Sequence, residues 1–440
     1  MSKTKTVAVI GSGITGISVA WHLHPDFRVL IFEKQDRLGG HTHTHKIKID
    51  NQEVSVDSGF IVFNKINYPL FSKWLNILDV DITKSNMSFS FSMHDKSFEW
   101  SGKNLKTVFT QKRNLFSSKF IKMLFEIHRF NKICKKIIKF GKYNSVENIS
   151  QFLNRHKFSE YFINFYLLPM ASAIWSTPKN KIEDFPAINL INFFYNHGLL
   201  NLVNHFEWYS ILGGSKSYID KFITHMNLKK RDISINLNHE VQEISFDKEI
   251  IDEKKIVIKG FNLSSNNNFN YSVDQVVFSC HSDQSSKIIP PNEKSYDYLK
   301  DISFIRNEAT LHTDESVMPK NKSAWAAWNY SSSDTNSKSL TLNYWMNTLQ
   351  TLPTSKNLFV SLNTEKNISP KKILKTMSYY HPFFDFKACK AVSKLKQTQG
   401  ENNLWFAGAW MGYGFHEDGF CSGKLVAEKI NNKFQKSNAR

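Results

Sequence analysis

The chain has 440 residues, of which 41% are hydrophobic and 22% are charged. This composition excludes a disordered chain, and the length predicts two closely joined domains. The net charge of +18 favours anionic partners such as a dinucleotide or anionic lipid headgroups, although a general Lys-rich bias explains it equally well. The sequence has no zinc finger and no RNA-recognition motif, so we expect no nucleic-acid partner.

Cysteine usage and apolar runs bear on the cellular compartment. The chain has four scattered cysteines without a C-x-x-C pair, namely Cys134, Cys280, Cys389 and Cys421. Such spacing favours a reducing environment. No signal peptide is visible, and no run of about 18 apolar residues is found in the sequence. We therefore predict a cytoplasmic protein that is at most peripherally attached to the inner face of the membrane.

The first predicted elements are a strand, a tight turn and a helix, in the segment TVAVIGSGITGISVAWHL. Gly11, Gly13 and Gly16 form the pattern G-x-G-x-x-G. The first glycine permits the turn, the second lets the backbone approach a pyrophosphate, and the third lets helix and strand pack closely. We expect the pyrophosphate at the helix N-terminus, beside Ile14 and Thr15, where unpaired N–H groups favour negative charge.

A second strand, RVLIFEK, ends at Glu33, which lies 22 residues after Gly11. A carboxylate at this distance accepts hydrogen bonds from ribose hydroxyls. The glycine pattern alone is weak, but a preceding strand, a following helix and this acid make it specific. We predict that Glu33 and the adjacent Lys34 contact a dinucleotide.

The next segment, DRLGGHTHTH, contains an R-x-G-G sequence after the second strand. Here the chain resembles the flavin-containing amine oxidase and phytoene desaturase superfamily. The stretches GGHTHT, VDSGFIVFN and FAGAWMGYGFHEDG are most similar to a bacterial branch of predicted NAD/FAD-binding proteins, partly associated with fatty-acid modification. The resemblance implies that Arg37, Gly39 and Gly40 follow the FAD pyrophosphate and flavin edge, with His41 and Thr42 near the isoalloxazine.

Three histidines alternate with threonines in this segment, and residues two apart share one face of a strand. His41, His43 and His45 could therefore line one side of the chain. A metal site would need a further ligand at a suitable spacing, and none is evident. We predict no metal.

Residues 112–142 combine helical periodicity with strong positive charge. They carry ten Lys or Arg residues against one acid, Glu126. Apolar residues recur at helical spacing at Ile121, Leu124, Phe125, Ile127, Ile133, Ile137 and Ile138. A basic amphipathic helix suits an anionic membrane surface. The alternative, which we favour, is a helix packed on the substrate domain with a solvated Lys face. Further along the chain, Trp175, Phe194 and Tyr195 could line an apolar tunnel, although such residues are more often core.

The middle of the chain is predicted to return to the dinucleotide domain. YSILGGSKSYIDKFI predicts a turn at Gly213 and a helix that Ser215 could cap. The strands that follow include Val241, which the resemblance places at the adenine side. The strand and helix of QVVFSCHSDQSSKII place Cys280 and His281 near the cofactor in the same way.

The C-terminal stretch LWFAGAWMGYGFHEDGF predicts a strand, Gly408, a loop and a helix opening at Gly419. A second helix start suits the negative charge of a reduced flavin and favours FAD over NAD. Relatives often carry an acid directly after the strand glycine, whereas this chain has Ala409. Either Asp418 or a water replaces that acid, or cofactor binding is weaker; Asp418 and the neighbouring Phe420 are the candidate cofactor residues here. His416 stands where several amine oxidases have a cage aromatic, and this departure weakens an amine-oxidase interpretation.

The predicted fold class is α/β, a Rossmann-like FAD-binding domain of the glutathione-reductase/amine-oxidase type with an inserted α+β substrate domain. The FAD domain is expected to be discontinuous, over residues 1–85, 210–290 and 385–440. The substrate domain comprises a helical part, 86–209, and an antiparallel sheet, 291–384.

The predicted activity is an FAD-dependent oxidoreductase that removes hydride from a C–H bond, with His416, Glu417 and His281 as candidate catalytic residues. One hypothesis is a dehydrogenase or desaturase acting on a lipid acyl chain at a membrane surface, in keeping with the 36 phenylalanines. The second is an amine oxidase for a small amine, and the third is a flavin-bound accessory protein without turnover. The electron acceptor is left open.

Overall fold

The computed structural model describes residues 4–141, 144, 146–201, 206–246, 255–333, 340–364 and 368–438. Its strands, in chain order, are β1 (Thr6–Ile10), β2 (Arg28–Phe32), β3 (Thr44–Ile49), β4 (Gln52–Asp57), β5 (Ile82–Ser85), β6 (Phe89–Met93), β7 (Glu99–Ser101), β8 (Trp208–Ile211), β9 (Ile233–Asn236), β10 (His239–Phe246), β11 (Ile256–Asn262), β12 (Asn267–Val273), β13 (Gln275–Phe278), β14 (Phe304–His312), β15 (Trp328–Ser332), β16 (Thr341–Trp345), β17 (Phe359–Leu362), β18 (Ile373–Pro382) and β19 (Leu404–Phe406).

The α-helices are α1 (Ile14–His22), α2 (Pro69–Ile77), α3 (Leu105–Val108), α4 (Ser118–Phe140), α5 (Ile149–Arg155), α6 (Glu160–Phe162), α7 (Leu168–Trp175), α8 (Lys179–Ile182), α9 (Ala187–Asn196), α10 (Lys216–Leu228), α11 (Ser282–Ile288), α12 (Ser295–Lys300), α13 (Met346–Leu349), α14 (Phe386–Leu395) and α15 (His416–Asn438). A π-helical turn covers Ile163–Leu167, and 3₁₀ turns cover Lys112–Phe116, Glu315–Val317, Lys322–Ala324, Pro370–Lys372, Glu401–Asn403 and Ala409–Met411.

A five-stranded parallel sheet in the order β19-β13-β1-β2-β9 forms the centre of the dinucleotide domain. Its strands are buried on both faces, which explains their nearly continuous apolar sequences. In β1, Val7 and Val9 pack on one side with helices α1, α2, α10 and α15. Ala8 and Ile10 pack on the other side with α11, α12, α14 and the antiparallel sheet β10-β11-β12. This architecture confirms the predicted Rossmann-like fold class.

The substrate domain is built on a seven-stranded sheet in the order β18-β14-β17-β16-β15-β6-β7. Strands β14 to β18 pair antiparallel, as the sequence predicts. β6 and β7 come from the segment that was expected to be helical only, and β6 joins β15 in parallel. The serines that interrupt β6 explain why its strand pattern is hard to detect. Both of these serines, Ser90 and Ser92, are fully or almost fully buried within the sheet.

Helix α4 begins at Ser118, six residues later than the predicted basic helix, because a 3₁₀ turn occupies Lys112–Phe116. The Ser117 side chain caps it by accepting from the Phe120 N–H. Its inner face, with Phe120, Met123 and Phe130, lies in the core of the substrate domain. The inner face of α4 is therefore packed in the substrate domain, as the favoured interpretation expects.

Pro169 explains why the helical stretch formed by α6, the π-helical turn and α7 is irregular. Proline lacks an N–H, so it leaves the carbonyl of Phe165, four residues earlier, without its helical donor. The Trp100 indole N–H donates to that carbonyl at 3.3 Å. An irregular helix is therefore stabilised by a side chain from β7, and it faces the site described below.

The core of the dinucleotide domain continues beyond the predicted boundary at residue 290. Ile288, Leu299 and Ile302 belong to the same buried cluster as the strands of the parallel sheet. None of the helices in the described part of the chain combines the length and apolar character needed to cross a membrane.

Candidate active site

A cavity of ≈ 2600 Å³ runs from the carboxyl ends of the parallel strands into the substrate domain. Ligand pockets in proteins usually measure about 300–1000 Å³. Carboxyl ends of parallel strands are also where nucleotides bind in open α/β sheets. The cavity therefore has room for a dinucleotide and a second ligand together.

The glycine pattern forms one end of this cavity. A Cβ added to Gly13 would meet no heavy atom within 4 Å, so the backbone there is open to a ligand. Gly11 has φ +101°, which favours glycine. A Cβ on Gly16 would lie 2.1 Å from the Gly11 carbonyl oxygen, so this residue serves helix–strand packing and does not line the cavity. Ile14 and Thr15 line the cavity at the start of α1.

Glu33 lies at the end of β2 and also lines the cavity. Its carboxylate accepts from the Ser12 N–H at 3.0 Å and from the Ser12 hydroxyl at 2.5 Å. These bonds fix the carboxylate beside the glycine turn. Lys34 lies at the cavity rim and forms an ion pair with Glu240 at 2.6 Å. Val241, one residue on in β10, is buried and lines the same end.

Arg37 organises the loop that follows. Its guanidinium donates to the carbonyls of Gly40 at 2.9 Å and Thr42 at 3.0 Å. Gly39 donates to the Ser12 carbonyl, which joins this loop to the glycine turn. Burial lowers the pKa of Arg37 from its usual value, but the side chain stays cationic at neutral pH. A half-buried cation next to an open helix N-terminus suits a pyrophosphate.

The C-terminal segment closes the opposite side of this end of the cavity. Gly408, Ala409 and Trp410 line it after β19, and the Trp410 indole donates to the Cys280 carbonyl at 3.1 Å. Helix α15 begins at His416, three residues before the predicted opening at Gly419. The backbone, Arg37 and the two glycine-rich strand ends fit the elongated shape and negative charge of FAD, so these residues would hold it.

Three predicted cofactor residues lie behind this surface and do not line the cavity. A Cβ on Gly419 would lie 2.8 Å from the Thr15 hydroxyl, so this glycine lets α15 pack on α1. Phe420 is buried in the core between those helices. Asp418 accepts from the Phe415 N–H at 2.9 Å and holds the loop before α15. Because α15 begins three residues earlier than predicted, its first residue, His416, lines the cavity, and the three residues after Glu417 do not.

His416, the first residue of α15, lines the cavity as a buried side chain. Its ring stacks on Phe60 with centroids 3.6 Å apart. Its Nε2 lies 3.1 Å from the Thr42 hydroxyl and 3.2 Å from the Tyr218 hydroxyl. Burial lowers its pKa well below the usual value, so it is neutral at pH 7. Thr42 contacts this ring and Tyr218, and it does not itself line the cavity.

Glu417 does not line the cavity, in contrast to its predicted catalytic role. Its two carboxylate oxygens accept from the N–H groups of Leu70 and Phe71, each at 2.9 Å. These are first-turn amides of α2, which have no partner within their own helix. Glu417 therefore caps α2 and fastens it to α15.

His281 lies where the chain leaves β13 and enters α11, and it lines the cavity with its ring stacked on Phe304. His41 is near it, with ring centroids 6.0 Å apart, and His381 lies 5.5 Å from His41. Burial lowers the pKa values of His41 and His381 to about 3 and that of His281 to about 4. Three neutral imidazoles thus meet on the cavity wall at the domain junction.

The tautomer of His381 is set by its surroundings. The Asn363 amide donates to Asn307 Oδ1 at 2.6 Å, which fixes the orientation of the Asn307 amide. Asn307 then donates through Nδ2 to His381 Nδ1 at 2.9 Å. The proton of His381 is therefore on Nε2.

His43, directly before β3, and His45, within β3, form a second pair with ring centroids 4.0 Å apart. His43 Nδ1 lies 3.1 Å from the Tyr379 hydroxyl, and His45 Nε2 lies 2.7 Å from the Ser58 hydroxyl. Within the described residues, His, Cys, Asp and Glu side chains form no group of three that could hold a metal ion.

We expect the histidine cluster to make the fold acid-labile. The pKa values of His41, His281 and His381 lie at about 3 to 4 in the folded chain, below the usual 6.5. Between these pKa values, the unfolded chain therefore binds more protons than the folded chain. Stability is fully present above pH 6.5 and is lost as the pH falls toward 4, at up to about 1.4 kcal/mol per histidine per pH unit.

The midpoint of thermal unfolding, measured by circular dichroism from pH 8 to pH 5, should change little down to pH 7 and then fall steeply. A His381→Gln variant should have a shallower fall. A midpoint that is flat from pH 7 to pH 5 would contradict the assignment of these histidines as buried and neutral.

Sequence reasoning missed His381, Tyr379 and Phe304, which come from the substrate domain. No local pattern marks them, because strands β14 and β18 bring them to the cavity through long-range pairing. Ser12 and Phe60 were also missed. Ser12 lies inside the glycine pattern and could have been found as a donor to the strand-end acid.

Comparison with known proteins supports this description. Residues 9–78 match the model of an NAD(P)-binding Rossmann-like domain family. Lysine-specific histone demethylase 1 of Schizosaccharomyces pombe is 41% identical over an alignment of 69 residues, which covers 12% of this chain and 7% of that protein. The match therefore spans a small part of the relative.

Solved structures resemble nearly the whole chain. A fatty acid isomerase from P. acnes that produces CLA superposes with a TM-score of 0.67 at 12% identity, over 98% of this chain and 99% of that one. Cyclohexylamine oxidase from Brevibacterium oxydans gives a TM-score of 0.66 at 12% identity, over 98% and 100%. These likenesses confirm the predicted resemblance and fold class. The chain therefore has the same fold as these two enzymes.

Proposed function

We propose that this chain binds FAD and oxidises a C–H bond of an apolar substrate, an acyl chain of a lipid. The observation that carries this proposal is the continuity of the cavity, which joins the dinucleotide end to an apolar tunnel in the substrate domain. FAD, when bound, supplies the acceptor for the electron pair that leaves the substrate.

The substrate half of the cavity is lined by side chains that suit an acyl chain. They come from β7, α4, α7 and β16, and include Trp100, Leu124, Ile127, Met170, Ile174 and Tyr344. Transfer of each CH₂ group from water to such a surface contributes about 0.8 kcal/mol. A long acyl chain therefore gains affinity from length alone, without polar contacts.

An amine substrate finds less support in the charges of this half. Glu207, a carboxylate that lines the cavity, is already paired with Lys84 at 2.6 Å at the exposed rim. A desolvated ammonium group needs a closer counter-charge or an aromatic cage. His416 is neutral, so it would not repel an amine, but its ring stacks on Phe60 and offers no cage of two facing walls.

The histidines at the domain junction give the chain groups that can hold or release a proton beside the substrate. His381 carries its proton on Nε2, and His41 and His281 are its neighbours on the wall. Desolvation of these rings against the cavity wall favours their neutral form. Their role would be to position the substrate and to exchange a proton with it.

The test is an anaerobic screen of flavin bleaching with the purified chain. Free fatty acids and acyl lipids in detergent should bleach the flavin, whereas polyamines and aromatic amines should not. Bleaching by amines alone would replace the proposal with an amine oxidase. Tight lipid binding without bleaching by either class would instead indicate a flavin-bound accessory protein.

A blocked tunnel provides a matched test of the substrate path. Ile174→Trp places a large ring in the tunnel, and we expect it to lower kcat/KM for a long acyl substrate by about 10-fold or more, which is about 1.4 kcal/mol. The flavin content should stay unchanged, because Ile174 lies in α7, which packs in the core of the substrate domain and contributes no residue to the glycine turn. Leu228→Trp, at an exposed position of α10, is the control. Equal rates in the two variants would place the substrate elsewhere.

A further inference from the structure

An apolar patch stands out on the surface of the substrate domain. Phe116 is 90% exposed, Phe125 is 72% exposed, and Leu115 is also exposed. These three residues line one shallow groove with Ile121, between the 3₁₀ turn and the first turns of α4. We call Leu115, Phe116 and Phe125 the α4 patch. Two exposed phenylalanines side by side mark an interaction surface.

The surroundings of this patch are strongly basic. The described part of α4 and the preceding turn carry nine Lys or Arg residues, namely Lys112, Arg113, Lys119, Lys122, Arg129, Lys132, Lys135, Lys136 and Lys139. The acid in this segment, Glu126, is buried and accepts two hydrogen bonds from Ser159. It therefore does not offer negative charge at the surface. The charge around the α4 patch is complementary to an anionic surface.

The helix that carries the patch also lines the tunnel. Leu124, next to Phe125 in α4, lines the large cavity, as does Leu105 in α3. Leu105 is 79% exposed, so the cavity opens to the surface here. A bilayer bound at the α4 patch would therefore lie against the helix that lines the tunnel. A soluble acidic protein would be attracted by the basic charge but would not enter the cavity. The opening of the cavity near this helix therefore favours a lipid surface as the partner.

We propose that the α4 patch docks the protein on an anionic membrane, with Phe116 and Phe125 inserted among the acyl chains and the surrounding lysines on the headgroups. Aromatic residues with a basic rim are typical of interfacial membrane binding. The proposal deepens the lipid substrate proposed above and rests on it for its purpose. Its test does not depend on turnover.

The experiment is vesicle flotation of the full chain. Vesicles of phosphatidylcholine with about one third phosphatidylglycerol should carry the protein upward at low salt, because the lysines gain charge attraction and the Debye length is long. Pure phosphatidylcholine vesicles should carry little. The double variant Phe116→Ser, Phe125→Ser should lower the bound fraction on anionic vesicles by about 10-fold, corresponding to the lost insertion of two aromatic rings.

Leu228→Ser is the control, since Leu228 is an exposed leucine on α10 outside the patch. It should float like the unmodified chain. Absence of flotation on anionic vesicles at low salt, or equal flotation of the double variant, would overturn the proposal. A dimer that dissociates in the double variant would assign the patch to a second copy and would also overturn it.

The two proposals fail separately. Flavin bleaching by a detergent-dispersed fatty acid reports on the cavity, whereas flotation reports on the patch. Bleaching without flotation removes the docking surface and leaves the lipid substrate in place. Flotation without bleaching leaves the docking surface in place and removes the proposed substrate.

Discussion

A Gly13→Val variant is expected to fold normally and to lose FAD. A Cβ added at this position meets no protein atom within 4 Å, and the backbone has φ −63°, which valine adopts without strain. The added methyl groups would fill the space that the pyrophosphate needs against the backbone. We expect FAD affinity to fall by at least about 100-fold, which is about 2.7 kcal/mol.

The measurement is the flavin absorbance per chain after purification, together with the midpoint of thermal unfolding of FAD-free protein. Gly16→Val is the matched comparison, because its Cβ would lie 2.1 Å from the Gly11 carbonyl oxygen and 2.8 Å from the Ser279 hydroxyl. That variant should be destabilised by roughly 3 kcal/mol or more through overpacking. Full flavin retention in Gly13→Val would show that no pyrophosphate approaches this turn.

An Asp57→Ala variant is expected to be the most destabilised single substitution at the domain junction. Asp57 is completely buried at the end of β4. Its carboxylate accepts from the Thr44 hydroxyl at 2.5 Å, from both the N–H and the hydroxyl of Ser215, and from the Gln350 amide at 2.7 Å. Alanine would leave these buried donors without an acceptor, at a cost of about 3–5 kcal/mol.

Urea unfolding of the FAD-free chain measures this loss, and Asp26→Ala, at an exposed position, is the control. The Asp57 variant should lose structure in both domains at once, because Gln350 belongs to the substrate domain and Ser215 to the returning segment. Wild-type stability of Asp57→Ala would mean that the four-way contact does not hold the domains together.

The dinucleotide end could be predicted from sequence because its determinants are local. Gly11, Gly13 and Glu33 act through a turn and two neighbouring strands, so the spacing along the chain reports their positions directly. Arg37 and Gly40 follow within a few residues. The C-terminal helix was predicted with its start displaced by three residues. The error arose because Gly419 resembles a helix opening, whereas it serves the packing of α15 on α1.

The substrate end could not be predicted in the same way. The expected tunnel residues Trp175 and Phe194 are buried in the core, and Tyr195 is exposed instead of lining the cavity. Helical periodicity identifies a buried face but does not say whether core or cavity lies against it. His381 reaches the site through pairing of β18 with β14, which no local pattern records.

Ser215 shows how tertiary contacts replace a local expectation. The sequence predicts a cap for the helix that follows, and Ser215 does precede α10. Its hydroxyl instead donates to Asp57 at 2.7 Å, across 158 residues of chain. A buried carboxylate forms a stronger hydrogen bond than a helix amide offers, so the capping bond is not made.

The central claim is that one cavity holds FAD against an apolar substrate tunnel, and the flavin stoichiometry of the purified chain tests it most directly. We expect a yellow protein with one FAD per chain, which is retained through gel filtration or restored when FAD is added. A correctly folded preparation that is colourless, and remains without bound flavin after incubation with FAD, would contradict it.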